Sequence, residues 1–157
     1  MNASILNLRE AARKKMPKLE IIPELRQAAI TTWKARMVNE YGSAMVFEGL
    51  YDQLSSLEIS RLDLHRLLSF ADDERRHGVM CGSVVEALGG KAIAPALPVI
   101  PFPEHRDVDP LEGAIRNLMS ISCLSETVAV SLIGAERLEM PDGELRDILT
   151  NIYADEC

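Results

Sequence analysis

Five prolines fall in the twenty residues from Lys91 to Pro110, whereas none occurs between Glu24 and Ala94 or between Leu111 and Met140. Inside a helix a proline removes a backbone donor and clashes with the preceding turn, and inside a sheet it breaks the ladder. The segment KAIAPALPVIPFPEHRDVDP is therefore an extended connection. It divides the chain into two stretches, each free to form long helices.

In the first stretch Leu25, Ile30, Trp33, Met37, Phe47, Leu50 and Leu54 recur at roughly helical spacing, which predicts a helix over 23–54. The following SSLEIS is a short turn, and Ser60 with Asp63 has the form of a capping signal for a second helix, which Gly89 and Gly90 end. Asp109 and Pro110 read as cap and first residue of a third helix reaching Met140. After the turn MPDG, a fourth opens near Glu144 and is still in progress at Cys157. Short turns make the helices of each half antiparallel neighbours. The connection, over about residues 89–109, can span about 65 Å, more than the roughly 43 Å length of the second helix, so it can return along the whole molecule. The expected fold is all-α: one antiparallel four-helix bundle over 23–157 with a single long crossover, preceded by a basic segment over 1–22.

A chain of 157 residues with 47% apolar content suits one core. Its charge of −7 disfavours a nucleic-acid partner, because phosphates need clustered cations. The one basic cluster, Arg9, Arg13, Lys14, Lys15 and Lys18, is expected to be a solvated terminal segment. No signal peptide fits the opening residues and no apolar run reaches 18 residues, so no membrane span is expected. Three scattered cysteines suit reduced thiols and a cytoplasmic location.

Chemistry enters with the string DDERRH, where Glu74 and His77 stand three apart on one helix face. In an antiparallel hairpin, residues equally far from the turn sit at one height. Glu40 lies 17 residues before residue 57 and Glu74 lies 17 after it; Glu126 lies 15 before residue 141 and Glu156 lies 15 after it. Each hairpin thus places two carboxylates opposite one another, and parallel middle helices can bring both pairs to one depth. Buried carboxylates are very costly unless cations neutralise them. Two divalent ions balance four glutamates, and oxygen and imidazole donors suit iron, with manganese the other candidate.

This pattern resembles the ferritin-like superfamily of diiron carboxylate proteins, the rubrerythrin, bacterioferritin and diiron-oxygenase type. Over about residues 23–157 the resemblance makes Glu40 and Glu126 the single glutamates and Glu74 with His77 the first Glu-x-x-His. Asp73-Glu74-Arg75-Arg76-His77 is similar to the D-E-x-R-H form in which Asp73 and Arg76 orient the ligands. Asp155-Glu156 looks like the start of a second copy, which would need a histidine at position 159, so the fourth helix is taken as short or truncated. The resemblance implies an oxidoreductase of the oxidase or oxygenase type acting on dioxygen or peroxide, with a small-molecule substrate possible and a homo-oligomer expected. Iron storage or sequestration, or a metal-free scaffold of the same fold, are the alternatives.

Among other residues, Glu48, Glu58, Glu86, Glu136 and Glu139 are off the level of the glutamates and are expected to be solvated. Cys81 and Cys123 are expected to face inward as packing thiols. Trp33 is expected in the core, and Tyr153 either there or beside the metals. His65 and His105 have no partner at ligand spacing.

Overall fold

The structure, a computed structural model, describes residues 4–57 and 61–157, and for 61–63 the backbone alone. Glu58 and the side chains of the Ser60 and Asp63 capping signal lie outside the described residues. The chain is mostly helical. Its elements are β1 (Ile5–Asn7), α1 (Arg9–Arg13), a short 3-10 turn (Pro23–Leu25), α2 (Arg26–Ser55), α3 (Arg61–Ala87), β2 (Ile93–Pro95), α4 (Pro110–Asn117), a π-helical turn (Leu118–Cys123), α5 (Leu124–Glu139) and α6 (Glu144–Glu156).

The helix ends follow local chemistry. Gly89, at φ 87, takes the left-handed conformation that ends α3, and its amide donates to the Glu86 carbonyl at 3.0 Å. Asp109 caps α4 by accepting from the amides of Leu111 and Glu112 at 3.0 and 3.1 Å.

Along α2 and α3, Tyr41 meets Gly78 whereas Ile30 meets Gly90, so the two helices run antiparallel. Arg36 pairs with Glu136 and Gln53 with Asn117, so α2 also runs opposite to α4 and α5. Two apolar clusters result. One gathers Trp33, Met37, Val84, Val85, Leu149 and Ile152; the other gathers Phe47, Leu50, Leu64 and Leu67. On α2 and α3, residues 40, 74 and 77 fall between them.

The N-terminal stretch departs from expectation. β1 pairs antiparallel with β2, Leu6 opposite Ala94, so the crossover begins as an edge strand. Arg13, Lys14, Lys15 and Lys18 are exposed as expected, but Arg9 and Arg13 also donate to Glu86 at 3.1 and 2.6 Å, and the Ala92 amide donates to it at 2.8 Å. Glu86 is accordingly buried, 8% exposed, rather than on a solvated face. Sequence spacing missed this because its partners are 73 and 77 residues away. Burial alone would raise the Glu86 pKa, but the Ala92 amide, Arg13 and Arg9 together outweigh it and hold the carboxyl below its usual range. With its folded pKa depressed, Glu86 contributes stability above the ordinary carboxylate pKa and loses it as pH falls through the folded value. Glu86→Ala is expected to cost about 2 kcal/mol near pH 7 in urea unfolding, with a gap to the parent that narrows on acidification.

Cys81 is buried as expected, but Cys123 is exposed. Ser122, four residues and one turn before Glu126, takes the inward position instead. No unbroken apolar run reaches 18 residues, but Pro110–Glu139 contains an 18-residue window of mean hydropathy 1.6, long and apolar enough by composition to cross a membrane. Only 11% of that window is buried, and Leu111, Ile115, Met119, Leu124, Val128, Leu132 and Leu138 form an exposed apolar stripe, each 45–68% exposed.

Candidate metal centre

Glu40 comes from α2, Glu74 and His77 from α3, and Glu156 from the last turn of α6. One ligand atom from each lies within 4.8 Å of the others. Glu126, from the first turn of α5, lines the same cavity of about 270 Å³, together with Ser43, Ala129, Leu132 and Ile133. All five predicted ligands are therefore brought to one place. Glu40 and Glu74 have ligand atoms within 4.8 Å of each other, and Glu126 and Glu156 line the same cavity, which are the two pairs expected from equal distance to each turn.

Position between two apolar clusters explains the electrostatics. Burial, followed by repulsion from Glu156, Glu40 and Glu126, pushes Glu74 up to about 10. Burial and then Glu156 push Glu126 up to about 7, and burial raises Glu40 as well. Without a cation the cluster must therefore hold protons near neutrality.

His77 is anchored through one ring nitrogen. Its side chain is 1% exposed, and Nε2 lies 3.1 Å from the Asp155 carboxylate. Asp155 is in turn held by Arg76 at 2.7 Å, and Arg76 also donates to Asp73 at 2.6 Å. Burial opposes charge on the ring, but Glu156, Asp155 and Glu40 outweigh it and raise its pKa. Nδ1 lies 3.0 Å from Glu156 Oε1 and 3.8 Å from Glu40 Oε2, yet out of hydrogen-bonding alignment with either. A buried ring nitrogen facing carboxylates without a hydrogen bond, while its opposite nitrogen is anchored on a carboxylate, is the arrangement a metal-binding histidine adopts. Glu40, Glu74, His77 and Glu156 together offer oxygen and imidazole donors that could hold a metal ion.

Of the expected supporting residues, Asp73, Arg76 and Asp155 form one chain leading to His77. Tyr153 does not join it: its ring packs against Gly134 and under the Arg137 guanidinium at 4.3 Å, and among the described residues no hydrogen bond links its hydroxyl to the cluster. Trp33 is buried in the core beneath Arg36. His65 is exposed, and His105 is structural, its Nε2 lying 2.9 Å from Asn117 Oδ1. Glu48 pairs with Arg75 away from the cluster. Glu136, expected to be solvated, instead pairs with Arg36, and Arg36 and Asn39 line the cavity. Sequence reasoning passed over those two, although they stand four and one residues before Glu40 on the same helix. Burial pushes the Cys81 thiol up, which suits a packing role.

No family model, curated protein or solved structure matches this chain. Its function must be argued from the geometry alone.

Proposed function

We propose that this chain is a dinuclear metal protein of the ferritin-like kind, in which α2, α3, the α4–α5 run and α6 make a four-helix bundle with one crossover. Two iron ions, or manganese in their place, are held by Glu40, Glu74, His77, Glu126 and Glu156. The observation that carries this proposal is Nδ1 of buried His77, 3.0 Å from Glu156 and 3.8 Å from Glu40 without an aligned hydrogen bond, while Asp155 holds Nε2. Iron bound there supplies the electrons for reducing dioxygen or peroxide, which makes an oxidoreductase the favoured class.

Each residue then has a task set by its surroundings. The four glutamates bind and neutralise. His77 binds through Nδ1, its tautomer fixed because Nε2–H donates to Asp155, and Arg76 holds Asp155 in place. Buried Ile133 limits water in the cavity, while Ser43 and Ala129 leave room beside Glu40 and Glu126. Free cysteines support a reducing compartment such as the cytoplasm.

Ferrous iron loaded without oxygen tests the proposal in an oxygen electrode. Consumption is expected on admitting air, and His77→Ala should reduce it at least about tenfold. A protein that keeps its iron and consumes nothing would end the oxidoreductase assignment.

The exposed stripe on α4 and α5 favours a second reading, iron storage by an assembly. A charge-poor apolar face of that length suits another copy of the chain better than water. Light scattering that finds a large closed particle carrying many irons per chain would favour storage. Elemental analysis that finds no metal after growth with iron would leave only a scaffold.

A further inference from the structure

A second cavity, of about 540 Å³, lies between α2 and the crossover, and nothing in the metal chemistry requires it. Its α2 wall includes Ser43, Val46 and Gly49, and its other wall is the crossover from Leu97 to Phe102. Glycines line the close approach of these walls: a Cβ at Gly42 would lie 2.7 Å from the end of the Leu97 side chain, and one at Gly49 would lie 3.1 Å from the Phe102 ring. Pro98 and Pro101 stiffen the crossover side and remove its backbone donors. Among the described residues no charged side chain lines the cavity, and Asn39 and Ser43 supply its only polar ones.

Those same two residues also line the carboxylate cavity. The apolar groove and the metal centre therefore share a wall, and Glu40 follows Asn39 directly in sequence. A charged ligand would find no partner in the groove, whereas burial of hydrocarbon is favourable and the volume lies in the range of small-molecule sites.

We propose that this groove binds a neutral, apolar organic molecule whose polar end reaches Asn39 and Ser43, next to the proposed metal centre. This deepens the function proposed above, since it names the substrate class of that centre and rests on that assignment for its meaning. Two other occupants of an apolar groove are conceivable, a second copy of the chain and nothing at all.

The probe is 1-octanol, followed by proton NMR. Saturation transfer from metal-free protein to octanol reports the groove without reference to metal. Relaxation of octanol in manganese(II)-loaded protein, compared with a zinc-loaded sample, reports proximity to the centre. Saturable binding is expected, with strong relaxation in the manganese sample alone. Val46→Trp, which fills the groove, and Val99→Asp, at a rim position 71% exposed and so harmless to folding, should each weaken octanol binding at least about tenfold.

Three results would overturn the proposal: no saturation transfer, octanol binding unchanged in both variants, or a dimer that Val99→Asp dissociates while octanol fails to bind. Binding with equal relaxation in manganese and zinc samples would overturn the placement next to the centre. Octanol binding that both variants weaken, in a protein that takes up no manganese, would support the groove while removing the metal assignment, so the two failures are distinguishable.

Discussion

Metal-free protein given two equivalents of ferrous iron or manganese(II) at about pH 7.5 should melt about 10 °C higher. A ligand that binds only the folded state at a hundred times its dissociation constant adds about 2.7 kcal/mol, and each kcal/mol is worth about 2–4 °C in a domain of this size. Two ions therefore supply the expected rise. Its pH dependence follows from the carboxylates. Glu74, pushed up to about 10, and Glu126, to about 7, have folded pKa values above their unfolded ones. Their contribution to metal-free stability is then fully present below the ordinary carboxylate pKa and is lost as pH rises through the folded values. Bound cations take the place of those protons. The metal-induced rise should be small near pH 5 and grow towards pH 8, as differential scanning calorimetry can measure. A flat response across that range would remove the proposed centre.

Glu74→Gln is expected to separate the two costs. The substituted amide can still donate to Glu40, as a protonated Glu74 does, but it has no proton to lose on unfolding. Metal-free Glu74→Gln should therefore be more stable than the metal-free parent by about 2 kcal/mol near pH 8, somewhat more than one pKa unit of differential interaction. Below the ordinary carboxylate pKa the gap should close. The same variant should lose most of the metal-induced rise, because the centre lacks a negative ligand from α3. Destabilisation of the metal-free variant at pH 8 would mean that Glu74 is a favourable structural carboxylate and not a ligand awaiting a cation. Few substitutions of a buried glutamate would be expected to stabilise, which makes the sign informative.

Some of this was legible before any coordinates. The proline cluster marks the crossover, and equal counts from each turn identify Glu40 with Glu74 and Glu126 with Glu156 as facing pairs. Those inferences hold because helix rise is uniform and short turns leave neighbouring helices little choice of direction. Asp73, Arg76 and Asp155 were legible too, since they adjoin Glu74, His77 and Glu156 in sequence, although which of them holds His77 was not. Cys123 was misplaced because positions three and four before Glu126 both lie near its face, and packing chose Ser122, at four, for the inward place. Tyr153 had two readings, in the core or beside the acidic cluster, and it packs against the core. Its distance along α6 allowed either, and the position of Arg137 and Gly134 on the neighbouring helix decided between them.

Sequence alone determined the helices, the crossover and the level at which the acidic side chains meet, because each is a matter of spacing along one chain. Tertiary structure decided what distance in sequence hides: that β1 extends the crossover, that Arg9 and Arg13 bury Glu86, and that Asp155 turns Nδ1 of His77 towards Glu40 and Glu156. It also decided that an apolar groove lies against the acidic cavity. Such contacts depend on how whole helices and strands settle against one another in space, which local periodicity does not encode.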